Sequence, residues 1–349
     1  MKLAIMLLCI GLQLANSRLA PLYSSSRGVQ NRYIVKLQDD VDVDIFANNI
    51  KTMMATLKYD CYISLKYNRV LKGFLVDLNL SSLRMVRELH LVAFVESDSY
   101  IKTSDVASWG LDRIDQRYLP LDNTYDVSGI QLVLNILYIL FKYTVIIQCL
   151  LMIFLLYLNI LLYILIFFNC YNQGIDCNGH GTHCAGIAAG KEYGVAKGVN
   201  VHSVRVLDCN GVGWTSNVIQ GMEWVAANAS KPAVASMSLG GTLSMALNNA
   251  ADSLVQSGVV LVAASGNEAS DACTTSPASA VEVISVSSSN KNDEWSTFSN
   301  EGSCIDIIAP GEEIVSAWID SDTSSQTLTG TSMACPHVAG CPVLKFSVS

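Results

Sequence analysis

Three short strings hold residues that could carry out nucleophilic chemistry: Gly330-Thr-Ser332-Met-Ala, Asn178-Gly-His180-Gly-Thr-His183 and Ala263-Ala-Ser-Gly-Asn267-Glu. A serine hydroxyl is a weak nucleophile until a neighbouring imidazole takes its proton, and the oxyanion formed by its attack needs donors already in place. Ser332 supplies a hydroxyl at the start of a predicted helix over Met333 to Gly340, whose N-terminal amides face developing negative charge. Its own backbone N–H is one candidate oxyanion donor, and the Asn267 amide, presented by a Gly turn after a strand, is the other. His180, with glycines on both sides, is the candidate general base, and His183 is expected to pack beneath it. A metal reading of the two histidines wants an H-E-x-x-H arrangement and a third ligand, which the string does not supply. Alone, each string reads as a helix cap, a core histidine or a turn. Together they are the parts of an acyl-transfer site, which is recognised by roles.

In the order His180, Asn267, Ser332, and within these longer strings, the chain resembles the subtilisin-like serine proteases. Asp176-Cys-Asn-Gly-His180 and Ser108-Trp-Gly-Leu-Asp-Arg-Ile114 resemble the proteinase K branch of that family. The resemblance implies a serine endopeptidase that hydrolyses peptide bonds of polypeptide substrates through an acyl-enzyme and requires no cofactor. It further implies that Ser238-Leu239-Gly240 is the edge segment pairing with substrate main chain, and that Gly211-Val-Gly213-Trp214 is the opposite edge. A peptide would lie between them as an added strand. Cys184 matches a thiol beneath the base, and Cys335 stands where the family has Thr, so a second thiol is expected near the site. Asp306, in Cys304-Ile-Asp306-Ile-Ile-Ala-Pro310, resembles a position that helps bind structural calcium, an ion that takes about six to eight oxygens.

The elements that must position these residues are legible from Asn178 onward. Apolar strands at Val201–Leu207, Ala233–Leu239, Val259–Ala264 and Val281–Val286 alternate with helical patterns at Asn217–Ala227 and Leu243–Ser257. That alternation predicts an α/β fold, a parallel sheet with helices on both faces. Upstream, residues 18–103 form a small α+β unit, with strands at Tyr33–Leu37, Gly73–Leu78 and Leu91–Glu96 and a helix over Val43–Leu57. Its place before the site strings resembles the family's inhibitory propeptide, an intramolecular inhibitor, with self-cleavage near Tyr100 to Ser104. Residues 1–17 read as a secretory signal, Lys2 being followed by an apolar run and a small-residue end at Ala15-Asn-Ser17. Secretion to the extracellular space is the expected destination. It agrees with 11 cysteines, whose pairing the sequence leaves open. Sequons stand at Asn79 and Asn228. A net charge of -8 and the lack of a basic stripe argue against nucleic acid as a partner.

The domain reading is therefore signal 1–17, propeptide 18–103 and peptidase domain 104–349, the last interrupted at about 130–172. The family brings its third catalytic group, an Asp, on a strand ending in Asp-Thr-Gly or Asp-Ser-Gly, and this chain has no such string. Between Asp126 and His180 the one acidic residue is Asp176, expected to be a loop residue. From Gln131 to Phe168 the sole charge is Lys142, and the uncharged run Val145–Phe168 is long enough by hydropathy to span a bilayer. A membrane partner follows only if that tract is genuine. A span there would separate the propeptide from His180 and Ser332, and the tract would delete a strand from the middle of the sheet. Its Leu, Ile, Tyr, Phe and Asn composition resembles translated non-coding sequence. After Gly340 the chain leaves the family pattern, with Pro342 set to stop the helix, so a C-terminal truncation is expected. The expectation is an inactive member of a secreted, zymogen-forming class. The alternative is a membrane-tethered relative that binds peptides without cleaving them.

Overall fold

A computed structural model describes residues 19–24, 28–102, 110–114, 161–165 and 176–341. The signal reading, the stretch 103–109, most of the 130–172 tract and Pro342 lie outside these residues.

The first unit holds β1 (Leu22–Tyr23), β2 (Gly28–Leu37), α1 (Val43–Thr56), β3 (Tyr62–Tyr67), β4 (Gly73–Asp77), α2 (Leu80–Arg87) and β5 (Val92–Lys102). The strands run in the order β1-β5-β2-β4-β3, antiparallel except for β1 beside β5. Helix α1 buries Val43, Phe46, Ala47, Ile50, Met53 and Met54, a stripe at helical spacing that covers one face of this sheet. Both helices start on side-chain caps: Asp42 accepts from Ile45 N at 2.9 Å, and Asn79 accepts from Ser81 N and Ser82 N at 3.0 Å. Strand β3 and helix α2 are additions to the sequence reading.

The second unit is built on a six-stranded sheet, every pair parallel. Its strands are β6 (Leu161–Leu165), β7 (Asn200–Val204), β9 (Ala233–Met237), β11 (Val259–Ala264), β13 (Ile284–Ser289) and β14 (Ile307–Pro310), in the order β14-β13-β11-β9-β6-β7. β9 is buried at all five positions, as a central parallel strand covered on both faces must be. The covering helices are α4 (His180–Ala189), α5 (Thr215–Asn228), α6 (Met245–Gln256) and α7 (Thr331–Gly340), beside a short α3 (Gly110–Ile114). Short pairs complete the unit: β10 (Gly241–Thr242) with β12 (Thr275–Ser276), and β15 (Ile314–Ala317) with β16 (Ser325–Leu328). β8 (Val212–Trp214) pairs outside the main sheet.

One expectation is corrected here. The apolar tract does not delete a strand from the sheet, because Leu161–Leu165 pairs in parallel with β7 on one side and β9 on the other. A run of Leu, Leu, Tyr, Ile and Leu satisfies what a central parallel strand asks of its residues, which is apolarity on both faces. Nor is Val145–Phe168 one continuous membrane helix, since its residues 161–165 are extended. Among the described residues no helix is long and apolar enough to cross a membrane.

The units meet through the face of the first sheet left open by α1. Ile34, Tyr67, Leu71, Leu75 and Phe94 join the core of the second unit, each burial worth roughly 1.5–3 kcal/mol. Carboxylates set the register of this contact. Asp98 accepts from Ser216 N at 3.0 Å and Ser216 Oγ at 2.6 Å, at the start of α5. Glu96 accepts from Ala246 N at 2.9 Å, at the start of α6. Both place negative charge where unpaired helical N–H groups lie. In return, Glu223 of α5 accepts from the backbone amides of Asn68, Arg69 and Val70 at 3.1, 2.9 and 2.9 Å.

Candidate active site

The site lies at the carboxyl edge of the second sheet, where α4 and α7 begin. Helix α4 is preceded by the N-cap Gly179 with φ +100°, a conformation that favours glycine, and a Cβ there would sit 2.5 Å from the Trp318 ring. Asp176 organises the turn. Its carboxylate accepts from Asn178 N and Gly179 N at 2.9 Å and from Thr182 N and Oγ1 at 2.8 Å. Burial pushes its pKa up, but these donors outweigh it and hold the carboxyl below its ordinary value. Asp176 is thus consumed as a cap, the loop role expected of it.

His180 is the first residue of α4 and is 2% exposed. Burial, with a further push from His183, lowers its pKa to about 4, so the imidazole is neutral at neutral pH. Its Nδ1 lies 3.8 Å from Cys184 Sγ, one helical turn on, and its Nε2 has no hydrogen-bond partner among the described residues. His183 is buried behind it, with Nε2 on the Gln326 carbonyl at 3.0 Å and its ring edge-on to Trp318.

Ser332 stands in the first turn of α7, 2% exposed. Its hydroxyl donates to Ser238 O at 3.3 Å, and its carbonyl accepts from Ser238 Oγ at 2.7 Å and Cys184 Sγ at 3.4 Å. Cys184 therefore touches both the imidazole of α4 and the backbone of Ser332. Asn267 accepts the Thr331 N–H on Oδ1 at 2.8 Å, which fixes its amide beside the start of α7 with the donor end on the other branch. Cys335 is buried against Ser236 Oγ at 3.5 Å and Val262 O at 3.4 Å. Burial pushes its thiol up to about 11, and a hydrogen bond with the Ser238 side chain puts this second thiol beside the residue that holds the Ser332 carbonyl.

The two predicted edges flank a strand. On one side, β8 pairs antiparallel with the end of β5: Tyr100 opposite Trp214, Ile101 opposite Gly213, Lys102 opposite Val212. Tyr100 and Trp214 have ring centroids 3.9 Å apart. On the other side, Leu239 is buried, and a Cβ at Gly241, one residue past Gly240, would lie 2.9 Å from Tyr100 O and 2.8 Å from Ile101 Cδ1. Gly211 turns the loop before β8 with φ +73°. The Cys177–Cys209 disulfide joins that loop to the turn before His180, and Cys273–Cys304 joins the segments after β11 and β13.

Asp306 accepts from Ser285 N at 2.9 Å and so ties β14 to β13. Among the described residues no group of three or more His, Cys, Asp or Glu could hold a metal ion.

Sequence reasoning missed the carboxylates Asp98 and Glu223 as partners across the units, and His337. The last is buried in α7 with Nδ1 on Met333 O at 2.8 Å. A charged residue within an otherwise apolar helical stripe, Glu223 among Met222 and Val225, was the available signal.

The parallel sheet and the residues at its carboxyl edge define a class, an α/β protein of the serine peptidase type. The subtilase family profile, Peptidase S8, matches residues 170–346. The extracellular serine proteinase of Thermus sp. strain Rt41A is 42% identical over 293 residues, covering 80% of this chain and 67% of that protein. Alkaline serine exoprotease A of Vibrio alginolyticus is 40% identical over 341 residues, covering 90% of this chain and 60% of that protein. The solved structure of a cold-adapted subtilisin-like serine proteinase matches with a TM-score of 0.54 and 43% identity, over 67% of this chain and 82% of its own. The chain belongs to the subtilase family.

Proposed function

We propose that the chain derives from a secreted serine endopeptidase made as a zymogen, in which Ser332 attacks the scissile carbonyl, His180 takes the hydroxyl proton, and Asn267 with the Ser332 N–H holds the oxyanion. The observation that supports it is the packing of α4 on α7 through Cys184, which touches the His180 ring and the Ser332 backbone together. A neutral imidazole is the form that can accept a proton. Ser238–Gly240 and Gly211–Trp214 are the walls between which a substrate strand lies. Residues 18–103 are the inhibitory propeptide, and its support is the run of β5 into that gap, opposite β8.

The literal chain is a slow catalyst at best under this reading. On this reading β6 takes the place of the strand on which the family delivers its Asp, and its support is the pairing of Ile164 with Ser236, two residues before Ser238. Yet residues 161–165 contain no carboxylate. Among the described residues no carboxylate is hydrogen-bonded to His180, and the charge of Asp176 only partly offsets the burial that disfavours the imidazolium.

Reaction of the full chain with a fluorophosphonate, located by peptide mass spectrometry, tests the assignment. The adduct is expected on Ser332, slowed further in His180→Ala. An adduct elsewhere, or none, removes Ser332 as nucleophile and leaves peptide binding without cleavage.

A further inference from the structure

Helix α7 carries Pro336 in its interior, four residues after Ser332. In an α-helix the carbonyl of residue i accepts the N–H of residue i+4, and proline has none to give. The Ser332 carbonyl is therefore orphaned by the chain's own sequence, in a helix buried at every position. Two side chains from other elements fill the gap: Ser238 Oγ after β9 at 2.7 Å, and Cys184 Sγ in α4 at 3.4 Å. Ser238 is the closer, and its own carbonyl accepts from Ser332 Oγ at 3.3 Å, so the two serines are joined in both directions.

We infer that Ser238 is a positioning residue for the nucleophile, beyond its place in the substrate-binding wall. Its hydroxyl replaces the hydrogen bond that Pro336 withholds and thereby sets where the first turn of α7, and Ser332 with it, stands relative to His180 and Asn267. Cys184 adds a weaker donor to the same carbonyl. The inference rests on the reading of Ser332 as nucleophile for its functional consequence, but the bond itself does not.

A mutant cycle tests it on the full chain. Ser238→Ala, Pro336→Ala and the double variant are compared with the parent by two readouts: the rate of Ser332 modification by a fluorophosphonate, and amide hydrogen exchange of the peptide spanning Thr331–Cys335. Ser238→Ala is expected to slow modification about tenfold, the scale of one lost hydrogen bond, and to accelerate exchange. Pro336→Ala restores a helical N–H to the orphaned carbonyl, so the double variant is expected to recover most of both losses, as is Ser238→Thr, which keeps the hydroxyl. A residue that merely filled space would show no rescue by a change at position 336. If Ser238→Ala leaves exchange unchanged, or the double variant exchanges as fast as Ser238→Ala, the inference is wrong. If exchange follows the cycle while Ser332 is never modified, the bond stands and the nucleophile assignment fails.

Discussion

At position 332 the hydroxyl rests on the Ser238 carbonyl, while His180 Nε2 has no hydrogen-bond partner among the described residues and its Nδ1 faces a thiol where a carboxylate would be expected. An imidazole in that setting has little to stabilise its charged form, and burial holds its pKa at about 4. Modification of Ser332 should therefore stay flat from pH 8 to about 5 and decline only near 4, a profile read directly from rate against pH. A decline centred near 6.5 would show a solvated or carboxylate-paired base instead. His183 and His337 are likewise lowered to about 4, chiefly by burial. An unfolded chain binds these protons near 6.5, so between about 4 and 6.5 the unfolded state holds more of them. Stability is then fully present above that window and falls as pH drops through it, by about 3 kcal/mol per group at most. His337→Gln, which keeps a donor toward Met333 O, should reduce the loss in Tm between pH 7 and 4.5. An unchanged slope would argue that the buried imidazoles do not drive it.

Among the elements, β5 and Gly241 make the sharpest case. A methyl group at 241 has no room beside Tyr100 O, so Gly241→Ala should push residues 100–102 out of the gap and raise their amide exchange. No change there would mean that the strand is held by β8 alone. Glu223→Ala strips the acceptor from three backbone amides of the first unit, and a loss of about 2–4 kcal/mol in denaturant unfolding is expected. A loss below 0.5 kcal/mol, within the range of ordinary surface substitutions, would contradict the pairing. Strands β7, β9, β11 and part of β13, with helices α5 and α6, were legible because strand and helix periods alternate there, whereas the edge strand β14 and the short strands β8, β10, β12, β15 and β16 were not. β6 was not, because an all-apolar run reads equally as a central parallel strand or, by its length, as a membrane span. Only the partners β7 and β9 decide between them. The site strings were legible because each is local, whereas the Ser238–Ser332 link and the grip of Glu223 join residues about a hundred or more positions apart.

Taken whole, the molecule keeps a subtilase scaffold whose parallel sheet includes Leu161–Leu165 between β9 and β7. Leu161–Leu165 pairs between β7 and β9, and the proposed reading is that this strand replaces the one that would carry the catalytic carboxylate, of which residues 161–165 hold none. Loss of that group in subtilisin itself costs about four orders of magnitude in turnover, while the remaining groups keep a residual rate above water. The second-order rate constant for fluorophosphonate modification of Ser332, set beside that of a subtilase with its carboxylate intact, measures this most directly. The account predicts a constant lower by about three to five orders of magnitude, yet clearly above that of Ser332→Ala. A constant equal to the intact enzyme's would contradict it, for some group would then be doing the work assigned to the absent Asp.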